Sequence, residues 1–374
     1  MTRDQMIRRL ARWCAVPSHA GAPAGQRRMA TELARAFAKV AASVRCEPVG
    51  PAGLDVVRAW SPARTGRPVL LVGHYDTVPH DGEHPAPSVV IEDDRLIARG
   101  SADMKGGLVV MLSALTRLEG NPSGAPPWEV IIVPDEEIGT PWSRTVLADS
   151  ARRACVALVM EPATPTGGLV RARKGVGTIA LKIVGHAAHA GRNPEEGRSA
   201  IAAIAELVAV VEGAADPVAG TFVSVTTICG GSAANVVPGA ARAQIDVRVD
   251  SEREASRVLI EIETQTSALA RRRGVDASLV GALHRPPKPV DAGTQALFNL
   301  YRTGALTRGI DVGWTDVGGA SDANLLAQAG IPVLDGLGVR GGDIHGAREY
   351  ALLDSLPERA TLLEALLRGV AVTH

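Results

Sequence analysis

Three apolar runs constrain this chain most: "PVLLVGH" ending at His74, "WEVIIVP" ending at Pro134 and "CVALVME" ending at Glu161. None alternates with polar residues, so each reads as a strand covered on both faces, the habit of parallel sheets. Helix-length segments separate them. The order is strand (Val69 to Val72), helix (Lys105 to Leu118), strand (Glu129 to Val133), helix (Ser143 to Arg153), strand (Val156 to Met160), after an earlier helix from Gln26 to Ala42. Such alternation predicts an α/β fold: a mixed, mostly parallel sheet with helices on both faces. In that architecture ligands sit beyond the carboxyl ends of the strands.

From about Gly175 the texture changes. "GVGTIALKIVG", "TFVSVTTICGG" and "ARAQIDVRV" read as strands, with helices at Ser199 to Val211 and Ser251 to Arg272 between them. That order suits a smaller α+β domain with an antiparallel sheet. The proline-rich "HRPPKPV" closes it, and a helix and the strand "IPVLDGL" resume the first pattern. The expected division is residues 1–174 with 287–374 for the α/β domain, and 175–286 for the insertion. At 374 residues the chain is long enough for both.

Charge and cysteine usage narrow the function classes. Forty basic residues cancel forty acidic ones, so nothing supplies the excess positive charge that nucleic acid or an anionic membrane attracts. Cys14, Cys46, Cys155 and Cys229 are scattered with no disulfide or zinc-ribbon spacing, which suits a reducing compartment. The N-terminal stretch is an arginine-bearing amphipathic helix without the apolar centre of a signal peptide. No apolar run is long enough to span a bilayer. The expectation is a cytoplasmic protein with no membrane or nucleic-acid partner.

Acids and histidines collect just past the strand ends. They are His74 and Asp76, Asp103, the run Asp135, Glu136 and Glu137, Glu161, and His345 after the last strand. Any one alone reads as a solvated turn. Several at one edge of one sheet read as a metal site, because imidazole and carboxylate without thiolate is the donor set for zinc or a similar divalent ion. The number of carboxylates suits two ions about 3.5 to 4 Å apart, one carboxylate bridging. In extended backbone, residues two apart share a face, so Asp76 is expected to reach the far ring nitrogen of His74. Adjacent residues point oppositely, so one of Glu136 and Glu137 binds metal while the other serves as general base. Spacing does not say which.

The same residues carry a resemblance. His74-x-Asp76-x-Val78-Pro79, Asp103-Met104-Lys105-Gly106-Gly107, Asp135-Glu136-Glu137-Ile138-Gly139, Glu161-Pro162, His189-Ala190-Gly191 and Gly319-x-Ser321-Asp322 occur in order. Together they resemble the co-catalytic zinc hydrolases that include acetylornithine deacetylase, succinyl-diaminopimelate desuccinylase, aminoacylase and bacterial glutamate carboxypeptidase. "DEEIGTPWSR" and "LGVRGGDIHGAREY" are most similar to the glutamate carboxypeptidase branch. The resemblance implies two Zn2+ per subunit, with Mn2+ or Co2+ as alternatives. It implies that Asp103 bridges them, that His74 and Glu161 complete one site, and that Glu137 and His345 complete the other. Glu136 would be the general base, with Asp76 beside it as the residue that fixes the His74 ring. The implied substrate is a small peptide or N-acyl amino acid, cleaved at an amide to release an amino acid, C-terminal glutamate among the options, with N-acyl amino acid deacylation as the alternative. A non-catalytic binding protein on this fold is a third reading, opposed by the intact set of ligands and base. Thr140 stands where serine is commoner and Val89 where an aromatic often follows the first motif, departures that bear on substrate-side packing.

The inserted segment, by the same resemblance, is a lid and dimerisation domain. Its His189 is similar to a histidine that crosses a dimer interface to hydrogen-bond the developing oxyanion, which implies a homodimer. Asn235 and Arg285 match substrate-binding positions, an arginine fork suiting a carboxylate. His186 is expected to be a bystander. Lys174, Arg192, Arg248 and Arg340 are lesser candidates. His80 and His84 read as solvated loop residues, Cys155 and Cys229 as small core residues, and His19, His284 and His374 carry no motif. Gly336-x-Gly338-x-x-Gly341 mimics a dinucleotide fingerprint, but no helix opens after it. No G-x-S-x-G elbow supports a serine hydrolase.

Overall fold

The computed structural model describes residues 1–78 and 89–373, so the expectations for His80, His84 and His374 fall outside the described residues. The chain forms two compact units, one of Met1–Ala172, Val290–Asp316 and Ser321–His374, the other of Arg173–Pro289 and Val317–Ala320.

The first unit is built on a six-stranded sheet. Its order is Ser43–Val49, Leu54–Trp60, Trp128–Val133, Val69–His74, Val156–Val159 and Val333–Leu334. The first two pairings are antiparallel and the remaining three parallel, which is the mixed, mostly parallel sheet expected. The strands Val69–His74, Trp128–Val133 and Val156–Val159 are buried at every position. Alternate residues serve opposite faces. Val69, Leu71, Val130, Ile132, Val156 and Leu158 pack with the helices Pro23–Phe37, Gly107–Gly120 and Ser355–Thr373. Leu70, Val72, Ile131, Val133, Ala157 and Val159 face Leu147, Ala151, Ala323 and Leu326 of the helices Arg144–Arg153 and Asp322–Ala327. Each Val, Leu or Ile among them, fully buried, contributes about 1.5 to 3 kcal/mol of transfer free energy, and that explains why these runs are legible as strands.

Differences from expectation are local. The helix expected from Gln26 to Ala42 runs Pro23–Phe37, started by a proline at its first turn where the missing N–H costs nothing. The edge hairpin of Ser43–Val49 and Leu54–Trp60 has no apolar run to announce it, since its outer strand is mostly exposed.

The second unit holds four antiparallel strands in the order Phe222–Gly230, Ala240–Val249, Gly175–Val184, Asp276–Arg285. Ile179, Leu181, Ile183, Ile245 and Val247 pack beneath Leu207 and Ile262 of the helices Ala200–Glu212 and Glu252–Arg273, making the α+β layer expected of the insertion. The strand Asp276–Arg285 has no counterpart among the expected strands; it carries few large apolar side chains, half of its positions are exposed and only Arg285 is buried. Cys229 corrects a second expectation. It is exposed rather than a core residue, because the last four positions of Phe222–Gly230 all lie open to solvent. Cys155 is half-buried. Among the described residues no helix is long and apolar enough to cross a membrane.

Candidate active site

Parallel pairing brings the carboxyl ends of the central strands level, with His74 opposite Val133. The residues that follow those ends therefore converge. His74 closes its own strand and is buried. Its Nδ1 lies 3.0 Å from the carbonyl oxygen of Asp76, which can only accept, so Nδ1 keeps its proton and Nε2 faces inward. That Nε2 is 3.0 Å from Asp103 Oδ1 and 3.9 Å from Glu161 Oε1. On the other side, His345 Nε2 is 3.5 Å from Asp103 Oδ2 and 3.3 Å from Glu137 Oε2. The two oxygens of Asp103 thus address different histidines. Donor atoms of His74, Asp103 and Glu137 all lie within 4.8 Å of one another, a group that can hold a metal ion.

Local structure explains each placement. Asp103 sits in the turn Ser101–Gly106 that feeds the helix Gly107–Gly120, and its peptide to Met104 is cis. Glu349, 2% exposed, accepts the backbone N–H groups of Gly100, Ala102 and Asp103, each at 2.9 Å. His345 has a positive φ of 66°, an uncommon conformation for a side-chain-bearing residue. Glu161 follows Val156–Val159 closely, and Gly338 N–H donates to its carbonyl at 2.8 Å. A Cβ on Gly338 would stand 2.5 Å from the Met160 carbonyl oxygen, so this glycine serves close backbone approach rather than a phosphate.

One geometric assumption fails. Glu136, Glu137 and Ile138 form a single helical turn, not extended backbone, so strand alternation does not set their directions. The turn is held by Asp76, fully buried, whose Oδ1 accepts Glu136 N–H at 3.2 Å and whose Oδ2 accepts Glu137 N–H at 2.9 Å. The Asp76 carboxylate is 3.4 Å from His74 Nδ1, so its hydrogen bonds go mainly to the two acids' backbone. Asp135 closes the far side of the turn, with Oδ2 accepting from Trp142 and Ser143 at 2.8 and 3.1 Å.

The electrostatics are those of a cation site. Burial alone works against charge on His74, yet hydrogen bonds to Asp103 and Asp76 raise its pKa well above the usual value. Hydrogen bonds to Asp103 and then Glu137 push His345 up to about 10. Asp103, although burial opposes its charge, is held below the usual carboxylate range by His345 and His74. Burial, countered in part by His345, raises Glu137, and burial reinforced by the Asp103 charge raises Glu349 to about 7. Packed carboxylates here demand positive charge.

In the second unit, His189 is exposed on the two-residue strand Ala188–His189, paired with Val236–Val237. Its Nδ1 accepts Gly191 N–H at 3.1 Å, which leaves Nε2 as the donor of a neutral ring. Ala190 N–H donates to the carbonyl of Asn235 at 3.0 Å, so His189 and Asn235 are neighbours. Arg285 ends its strand opposite Val176 and is buried. His186 is exposed and exchanges backbone bonds with Arg198. Three of the lesser cations have partners: Lys174 with Asp250, Arg248 with Asp246 and Arg340 with Glu358, at 2.5, 2.8 and 3.3 Å.

A mixed α/β sheet whose strand ends gather histidines and carboxylates around one aspartate is the arrangement of a metal-dependent hydrolase. The chain belongs to peptidase family M20/M25/M40, whose model matches residues 70–369. It is 28% identical over 316 residues to carboxypeptidase G2 of Pseudomonas sp. (strain RS-16), covering 81% of this chain and 74% of that protein. It is 29% identical over 346 residues to succinyl-diaminopimelate desuccinylase of Hahella chejuensis, covering 85% and 86%. In fold it is similar to an M20 family metallo-carboxypeptidase from Sulfolobus solfataricus, with TM-score 0.81, 18% identity and coverage of 99% and 100%. A dinuclear metal-binding M20 peptidase of Bacillus subtilis has TM-score 0.77 at 16% identity, covering 100% and 99%.

Proposed function

We propose that this M20-family enzyme is a dinuclear zinc amidohydrolase that releases an amino acid, with C-terminal glutamate first among the candidates, from a peptidyl or N-acyl compound. The observation that supports it most is the split of Asp103, one oxygen toward His74 and the other toward His345. Asp103 would bridge, with His74 and Glu161 on one side and Glu137 and His345 on the other. Two imidazoles and three carboxylates without thiolate fit zinc, and equally Mn2+ or Co2+. When bound, the ions would polarise the amide carbonyl and lower the pKa of water toward neutrality.

The chain's own groups do the rest. Glu136 takes a proton from the attacking water and passes it to the leaving amine. Asp76 fixes the turn that aims Glu136 and Glu137. His189 Nε2–H, in this proposal supplied by the second subunit of a homodimer, hydrogen-bonds the oxyanion, a charge present mainly in the transition state. Asn235 and Arg285 hold the substrate carbonyl region and carboxylate. The unpaired cysteines suit a cytoplasmic enzyme.

Deacylation of an N-acyl amino acid is the second reading, favoured by the desuccinylase relatives. It uses the same metal site and holds the other side of the amide. Rates on dipeptides and folate-like glutamates against N-acetyl and N-succinyl amino acids, after reconstitution with zinc, separate the two; no turnover of any amide would sink both. Mixing His189→Ala with Glu136→Ala subunits leaves one complete site per heterodimer if His189 acts in trans. Activity should reappear, and a verified heterodimer without activity would end the trans proposal.

A further inference from the structure

We propose that Glu349 is a positioning residue that fixes the bridging carboxylate and couples its turn to the loop that carries His345. The proposal rests on reading Asp103 and His345 as metal ligands. Glu349 is buried, and both of its carboxylate oxygens are spent on backbone. Oε1 accepts the N–H groups of Ala102 and Asp103 and Oε2 that of Gly100, all at 2.9 Å. Its carbonyl adds Ala98 N–H at 3.0 Å and Ser101 Oγ at 3.4 Å. One residue therefore binds five groups of the segment 98–103, ending on the amide of Asp103 itself. Directly after it, Tyr350–Leu352 pairs antiparallel with Arg95–Ile97, which anchors the start of the same segment.

The arrangement has a chemical logic. Three N–H groups converging on one carboxyl group make a nest of donors, and the two oxygens of Glu349 satisfy it without letting solvent in. An amide would not do. A glutamine side chain in the nest would offer one oxygen and would turn its NH2 toward an N–H donor. Glu349 also lies four residues after His345, whose ring faces Glu137 and the second oxygen of Asp103. A shift of the nest thus moves the bridging group and the ligand opposite it together, so spacing between the two proposed ion positions depends on a residue that touches neither ion. It sits within "GDIHGAREY", the stretch noted for its histidine, and the only sequence signal is an acid in a short glycine-rich loop after a ligand.

The test compares Glu349→Gln with Leu363→Ala, a core truncation in the helix Ser355–Thr373, and with Asp103→Asn. Zinc affinity is read by chelator competition and site geometry by the visible spectrum of the cobalt-substituted protein. Outer partners of metal ligands are worth about 10- to 100-fold in affinity, and Glu349→Gln should lose that much and shift the cobalt bands. Leu363→Ala should lose stability while keeping affinity and spectrum. Glu349→Gln with wild-type affinity and spectrum overturns the proposal, as does equal loss in Leu363→Ala, which would mark a general structural effect. If Asp103→Asn keeps wild-type zinc content, the ligand reading itself fails and takes this inference with it; if Asp103→Asn loses zinc and Glu349→Gln does not, only this inference falls.

Discussion

The carboxylate of Asp76 accepts the backbone N–H of Glu137 at 2.9 Å, and through its other oxygen that of Glu136 at 3.2 Å. A single buried acid thus sets the turn bearing both the proposed base and a proposed ligand, while its carbonyl accepts a hydrogen bond from His74 Nδ1–H. Asp76→Asn keeps the shape but replaces one acceptor with a donor. A buried donor facing an N–H costs about 1 to 3 kcal/mol. Expected are a fall in zinc affinity of about 10- to 100-fold and a larger fall in kcat than in 1/KM. Unchanged affinity and kcat would show that the turn holds itself.

Glu136 and the ion ligands should separate in one experiment. Glu136→Gln removes a proton acceptor without removing a ligand, so metal content should stay near two per subunit, a count expected from the dinuclear reading. General-base loss costs about 100- to 10,000-fold in kcat. Glu137→Gln should instead lose metal and activity together. Metal analysis after gel filtration, paired with steady-state rates, decides it. Full activity in Glu136→Gln would reassign the base.

Stripping the ions should abolish turnover and also lower the melting temperature, because an ion that binds only the native state adds about 2.7 kcal/mol at a hundredfold excess over its Kd. The acids crowded around Asp103 give the physical reason, since without a cation their charges depend on protonated histidines. Calorimetry with and without chelator, then with zinc restored, is the measurement. A melting temperature indifferent to zinc would contradict a buried ion site.

Much of this is legible in the sequence because burial and chemistry coincide in a few short runs. The strands Val69–His74, Trp128–Val133 and Val156–Val159 are covered on both faces, so their apolar composition announces them, and three of the proposed ligands, His74, Glu137 and Glu161, fall at or just beyond their ends. Illegible features depend on contacts far apart in sequence. Arg58 in the hairpin Ser43–Val49 and Leu54–Trp60 bridges Glu47 and Glu129, a pairing without periodicity. The strand Asp276–Arg285 buries only Arg285 fully, so no apolar run marks it. The helical turn at Glu136 is imposed by Asp76, 60 residues upstream. Glu349 acts on amides 246 to 249 residues before it.

Away from the site, Glu119 gives a stability prediction with a defined pH sense. It accepts from Arg64 Nη1 and Nη2 at 2.9 and 2.6 Å and from Trp128 Nε1 at 2.7 Å. Burial alone would raise its pKa, but the bonds from Arg64 and Trp128 outweigh it and the pKa is lowered. A depressed folded-state pKa means stability that is present above the ordinary value of 4.5 and lost as pH falls through the folded value. Glu119→Gln should cost about 1 to 3 kcal/mol near neutrality, and the gap to wild type should close on acidification. Urea midpoints across that range test it; a gap independent of pH would contradict the linkage.

Gly107 connects stability to the site. It opens the helix Gly107–Gly120, and a Cβ there would stand 2.1 Å from the Met160 carbonyl oxygen, an obstacle of backbone rather than flexible side chain. Met160 immediately precedes Glu161, so relief of the clash must move either the helix that follows Asp103 or the strand end that presents Glu161. Gly107→Ala should therefore destabilise by about 1 to 3 kcal/mol and weaken zinc binding as well. Gly120, at the other end of the same helix, has nothing within 4 Å of a built Cβ. Gly120→Ala should leave zinc affinity alone and stabilise by up to about 1 kcal/mol through helix propensity. Thermal melts and chelator competition on the pair decide the matter: equal behaviour of the two variants would mean that the contact between Gly107 and Met160 does not govern where Glu161 sits.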